Sequence, residues 1–277
     1  MTQHLTLDGG TLAYELTGDT GPLVVLAHGM GDSRAAYRFT APRLAAAGYR
    51  VAAVDLRGHG ESSTGWPEHT RTAIAADLVA LIEHLGGPAV LVGHSISGGA
   101  ATIAAATAPE LVTALVELTP FTRAQSFSPG DLRHPAYRRG MLALLGMAAF
   151  GSTRSWLRYL EIAYPGPRPA DFAARQEEIA AMLGEPGRMK ALRAMGQGTP
   201  ADAGAQLANV RCPVLVIQGE LDPDWVSPRA EGEAVVADLP AGLGRLEVVE
   251  GAGHYPHVQF PERVVDLVLE FLATARA

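Results

Sequence analysis

Three polar residues, far apart in the chain, have the chemistry of an activated nucleophile. They are a serine in "VLVGHSISGGA", an aspartate in "GELDPDW" and a histidine in "EGAGHYPHVQFPE". A serine hydroxyl attacks a carbonyl only when a base takes its proton. Histidine supplies that base, and a carboxylate fixes its tautomer.

Ser95 stands where the apolar run Val90-Leu91-Val92 gives way to small residues. A tight strand–turn–helix would hold its hydroxyl clear of a sheet, and bulky side chains two residues away would clash there. Gly93 and Ser97 are both small. The expected pattern is Gly-x-Ser-x-Gly, and its last position here is Ser97. That departure opens a second frame, Ser95-x-Ser97-x-Gly99, with Ser97 as nucleophile. Ser95 is favoured, because it follows the strand at once and Ile96 can begin the helix.

Nine histidines are candidates for the base. His254 lies between an apolar strand and the last helix, in a loop with Gly251 and Gly253. His257 is its rival, but it sits nearer a helix start, where the dipole disfavours positive charge. For the acid, Asp222 follows the strand "PVLVIQGE"; Asp224 and Glu117 are the alternatives. Two fixed N–H donors must hold the oxyanion. Ile96, after the nucleophile, offers one, and Met30 in His28-Gly29-Met30-Gly31 offers the other.

These residues need a frame that gathers them. Runs such as "PLVVLAHG" and "PVLVIQGE" are short and uniformly apolar, and helical patterns separate them. That indicates a parallel sheet covered on both faces. Strands are expected at Leu12 to Leu16, Leu23 to Ala27, Val51 to Val54, Ala89 to Val92, Leu111 to Leu118, Val214 to Ile217 and Leu246 to Val249. Helices are expected at Ala35 to Ala47, Thr70 to Leu85, Gly98 to Ala108, Pro228 to Ala237 and Pro261 to Ala275. Ligands bind at the carboxyl ends of such strands, where every candidate residue falls.

From about Phe121 to Leu207 only helical patterns occur. We expect a helical cap at 123–205, inserted into a core made of 1–122 and 206–277. Trp156, Tyr159 and Leu160 share one helical stripe and are candidate substrate contacts. The cap holds eleven Lys/Arg against seven Asp/Glu, whereas the whole chain carries -7. That net charge, without a basic run, argues against nucleic acid. No apolar run reaches the ~18 residues that span a bilayer, and the N-terminus lacks signal-peptide character. Cys212 is the sole cysteine, which excludes an intrachain disulfide and fits a cytoplasmic protein. No cluster has metal-ligand spacing, so neither metal nor organic cofactor is expected.

With these residues in place the chain resembles the α/β-hydrolase superfamily, especially its capped, single-domain esterases. The resemblance rests on "VVLAHGMGDS", "YRVAAVDLRGHGESS", "VLVGHSISGG", "CPVLVIQGELDPD" and "VEGAGHYPHVQFPERV". It implies an α/β-hydrolase fold with the order Ser95, Asp222, His254. It also implies a structural loop from Asp55 to Ser62, with turns at Gly58 and Gly60 and hydrogen bonds from Arg57. Epoxide hydrolases and haloalkane dehalogenases carry aspartate where this chain has Ser95. The expected activity is hydrolysis of a carboxylic ester, thioester or lactone of a small molecule. A carbon–carbon hydrolase or lyase on the same residues, or a binding protein of the same fold, is the alternative.

Overall fold

The structure is a computed structural model and describes residues 1–124 and 127–275. Its centre is an eight-stranded sheet. The strands are β1 (Thr2–Leu7), β2 (Gly10–Thr17), β3 (Leu23–Ala27), β4 (Arg50–Val54), β5 (Ala89–His94), β6 (Val112–Leu118), β7 (Val214–Gly219) and β8 (Gly244–Val249). Their order is β1-β2-β4-β3-β5-β6-β7-β8. β1 and β2 run antiparallel to their neighbours, and all other pairs are parallel.

The order reverses at β3, which has β4 on one side and β5 on the other. A crevice opens at such a switch point beyond the carboxyl ends of the strands. β3, β5 and β7 are buried along their whole length. Both sheet faces are therefore covered, as their unbroken apolar runs require. Helices Arg71–His84, Ile96–Thr107 and Pro228–Asp238 cover one face. Thr40–Ala46 and Pro261–Ala275 cover the other.

Between β6 and β7 the chain runs through helices Pro135–Phe150, Thr153–Ala163, Phe172–Gly184, Arg188–Gln197 and Ala201–Gly204. Their apolar faces form a separate cluster that includes Trp156, Leu160, Ile179 and Leu183. Tyr255 and Val258, from the segment after β8, complete it.

Three elements differ from the sequence expectation. β1 was not expected, because it is half exposed and its few apolar residues give a weak pattern. It pairs with β2 through a hairpin at Asp8-Gly9, a strong turn dipeptide. The expected helix Ala35 to Ala47 is a 3-10 turn, Arg34–Tyr37, followed by the helix Thr40–Ala46. Pro42 explains the split, since proline is tolerated in a first helical turn and not inside a helix. The helix after β5 begins at Ile96 rather than Gly98, directly after Ser95.

Candidate active site

Ser95 occupies the turn between β5 and the helix Ile96–Thr107, with φ 56° and ψ -118°. Positive φ is costly for a residue with a side chain. The turn is held from outside: the Ser95 amide donates to Leu118 O (2.9 Å), and Ser95 O accepts from Phe121 N (3.0 Å). Gly93 is required there, since a Cβ would lie 2.2 Å from Ser97 O. Ser97 is fully buried, and its hydroxyl donates to His28 O at 2.5 Å. The two serines thus differ in surroundings. Ser95 opens on a cavity, whereas Ser97 ties the helix to the loop after β3.

That cavity measures about 430 Å³. Ser95, Met30, Ile96, His254, Trp156 and Tyr159 all line it. Among the described residues, the Met30 and Ile96 amides donate to no protein group. Two residues with unpaired N–H groups thus line the same cavity as Ser95. Leu160 is buried in the neighbouring apolar cluster and does not line the cavity.

His254 follows β8, and its Nδ1 lies 2.8 Å from Asp222 Oδ2. Asp224 Oδ2 stands 3.4 Å from the same nitrogen. Asp222 also accepts the Asp224 amide at 3.0 Å. Asp222 therefore makes the shorter contact to the ring, and Asp224 is a second carboxylate beside it. Burial pulls the imidazole pKa down, but the charges of Asp222 and Asp224 push it up, to about 9. Burial raises the Asp224 carboxyl to about 6. With Nδ1–H directed at a carboxylate, Nε2 keeps the lone pair that can accept a proton.

The rivals do not take these places. His257 is buried with neither ring nitrogen hydrogen-bonded among the described residues, and burial lowers it to about 3. Glu117 accepts from the Thr102 and Thr122 hydroxyls inside the core. Donor atoms of Asp222, Asp224 and His254 lie within 4.8 Å of one another, a spacing a metal could bridge. Their mutual bonds, and the Tyr159 hydroxyl on Asp224 at 2.6 Å, already account for that closeness.

Several residues that hold the site were not singled out from the sequence. His28 accepts the Leu56 amide at Nε2 (3.0 Å), and its Nδ1 lies 2.6 Å from Gly29 O. His59 accepts the Gly31 amide at Nε2 (3.0 Å). Acceptor nitrogens must be unprotonated, so both rings are neutral with hydrogen on Nδ1. Burial keeps them so, lowering His59 to about 3. His94 Nε2 and the Thr119 hydroxyl both bond His254 O, at 2.8 and 2.9 Å. The His254 amide donates to Ala163 O at 2.9 Å. His28, His59 and His94 each lie within a quoted motif, but only tertiary contact reveals their partners.

The Asp55 to Ser62 loop is tied as a structural unit. Asp55 accepts the amides of Arg34 (2.7 Å) and Glu61 (2.8 Å). Arg57 forms a two-pronged ion pair with Asp77, 2.7 Å on each prong, and lies over the Trp66 ring.

Known proteins share this arrangement of chain. The sequence profile of the Alpha/beta hydrolase family matches residues 24–267. Epoxide hydrolase A of Mycobacterium tuberculosis is 28% identical over 96% of this chain and 95% of its own. The 2-(acetamidomethylene)succinate hydrolase of Mesorhizobium japonicum is 28% identical over 91% of this chain and 88% of its own. Among solved structures, a thermophilic esterase from Thermogutta terrifontis, with malate bound, is 28% identical and superposes with a TM-score of 0.77. That match covers 100% of both chains. With the profile running from β3 into the last helix and including the loops that carry Ser95, Asp222 and His254, the chain belongs to the alpha/beta hydrolase family, and it is a hydrolase.

Proposed function

We propose that this hydrolase cleaves a carboxylic ester, thioester or lactone through an acyl-enzyme on Ser95. His254 Nε2 takes the Ser95 proton as Oγ attacks the carbonyl carbon. The Met30 and Ile96 amides bind the oxyanion that forms. Asp222 holds the imidazole tautomer and stabilises the imidazolium, which then protonates the leaving group. Water, deprotonated by His254, attacks the acyl carbon and releases the acid. The helices of 123–205 serve as a cap, with Trp156 and Tyr159 as its substrate-facing residues.

The observation that carries this reading is Ser95 at φ 56° in a cavity it shares with His254. A serine in a strained turn, lining one cavity with a carboxylate-paired imidazole, suits acyl transfer. A relative named as a 2-(acetamidomethylene)succinate hydrolase and a solved structure named as an esterase support it. The relative named for epoxides differs in substrate on this reading, because Ser95 stands where epoxide hydrolases carry aspartate.

The test is turnover of a 4-nitrophenyl ester, with product analysis and fluorophosphonate labelling. Acid and phenol should appear in equal amounts, and label on Ser95 should abolish turnover. A labelled Ser95 with undiminished turnover would refute the mechanism.

A further inference from the structure

The cavity wall contains one basic group that the mechanism above does not use. Arg71 is 6% exposed and lies at the start of helix Arg71–His84. It lines the same cavity as Ser95 and His254, and among the described residues it is the only Lys or Arg there. Its Nε donates to Phe121 O (3.1 Å) and its Nη1 to Gly198 O (3.3 Å). Among the described residues it has no carboxylate within ion-pair distance, and Nη2 donates to no protein group. Asp202 is nearby and half-buried; its charge acts on Arg71 from beyond ion-pair distance, and it accepts from Thr72.

A guanidinium withdrawn from water without a carboxylate in contact is unfavourable, and it is normally paired. Here two backbone carbonyls place it in the wall of a cavity also lined by Met, Leu, Phe and Trp residues. The planar fork suits a carboxylate. Its position also suits one. A Cβ on Gly99, one helical turn after Ser95, would lie 2.9 Å from Arg71 Cδ. One turn is about 5.4 Å of helix, so the stem of Arg71 passes close to the nucleophile without sharing its place.

We infer that Arg71 binds a carboxylate of the substrate, so that the ester cleaved at Ser95 carries an acid group a few atoms from its scissile carbonyl. The inference rests on the esterase reading and names its substrate class. A purely structural Arg71 would hold Phe121 and Gly198 together and would treat acidic and neutral esters alike.

The experiment compares two matched pairs. With the acid on the acyl side, mono-4-nitrophenyl glutarate is set against 4-nitrophenyl pentanoate. With the acid on the alcohol side, 4-acetoxybutanoate is set against butyl acetate. One pair should show kcat/KM at least tenfold higher for the acid, through KM. Arg71→Gln should remove that preference, and Arg71→Lys should keep part of it. Glutarate binding to Ser95→Ala protein, read by calorimetry, should vanish in the Ser95→Ala/Arg71→Gln double variant. Circular dichroism and Tm monitor folding, and if Arg71→Gln unfolds, the substrate pairs and glutarate binding decide. Equal rates within both pairs, without glutarate binding, overturn the Arg71 inference and leave the esterase reading intact. Glutarate binding without turnover of any ester overturns the esterase reading and leaves the Arg71 site standing.

Discussion

The Tyr159 hydroxyl donates to Asp224 Oδ2 at 2.6 Å, so a helix between β6 and β7 reaches the carboxylate pair beside His254. The two acids then have separable duties. Asp222→Asn should lower kcat by ~10⁴-fold, as loss of the orienting carboxylate does in a serine triad. Asp224→Asn should cost about tenfold, or ~1.4 kcal/mol in barrier. Tyr159→Phe removes a hydrogen bond to a buried carboxylate and should lower stability by ~1.5–3 kcal/mol. Steady-state kinetics and urea denaturation read these effects. Equal losses in the two asparagine variants would contradict the assignment.

The pH profile follows from the same pair. Asp222 and Asp224 overcome the effect of burial and raise His254 to about 9. The neutral ring is the base, so kcat/KM should rise along a limb centred above the ordinary ~6.5. Asp224→Asn removes a negative neighbour and should move that limb to lower pH. Stability runs the other way. A pKa raised on folding stabilises fully below the unfolded value of ~6.5, and the gain is lost as pH rises through about 9. Rate profiles and urea midpoints across that window check both signs, and a flat rate profile would count against His254.

The two serines should separate cleanly. Ser95→Ala should leave only what the oxyanion site and binding retain, ~10³–10⁴ over water. Ser97→Gly leaves His28 O without the Ser97 donor, a loss of about 1 kcal/mol, with kcat within about tenfold. Ser97→Val should be worse, because a branched side chain crowds a fully buried position. Mass spectrometry of fluorophosphonate-treated protein locates the label, and label on Ser97 would reverse the assignment.

Gly31 has φ 71°, and a Cβ there would sit 2.4 Å from Trp156 Cζ2. Trp156 Nε1 also donates to Gly31 O at 3.3 Å. Gly31→Ala should therefore displace the Met30 amide and lower kcat by ~10²-fold, the effect of losing one oxyanion donor. Gly31→Ala with Trp156→Leu should recover part of the rate. No recovery would trace the loss to backbone strain alone.

Away from the cavity, Arg57→Met should destabilise by ~3–5 kcal/mol, because Asp77 would remain buried without its partner. Replacing both residues with apolar ones should restore most of that loss, as chemical denaturation would record.

The sheet was legible because β3, β5 and β7 are buried on both faces and read as unbroken apolar runs. Ser95 and Asp222 were legible for a related reason, each standing just past such a run, whereas His254 was placed by its glycine loop between the half-exposed β8 and the last helix. β1 was not legible, being half exposed. The bonds of His28, His59 and His94 were hidden because their partners lie 28, 28 and 160 residues away. Leu160 shares a helical stripe with Trp156 and Tyr159, and periodicity cannot tell a cavity wall from the packing behind it. Arg71 was invisible for the opposite reason, since an arginine near a helix start ordinarily faces solvent.

β6 and β7 are hydrogen-bonded neighbours, with Leu115 opposite Val214 and Leu118 opposite Ile217. The chain leaves the sheet from one and re-enters at the other. On the proposed reading the cap is therefore a cassette hung on two adjacent posts, whose spacing the ladder sets. Its length and sequence can drift without moving Ser95 away from the loop of His254. Its contacts at Ala163 and Tyr159 are the points where such drift would first retune the chemistry.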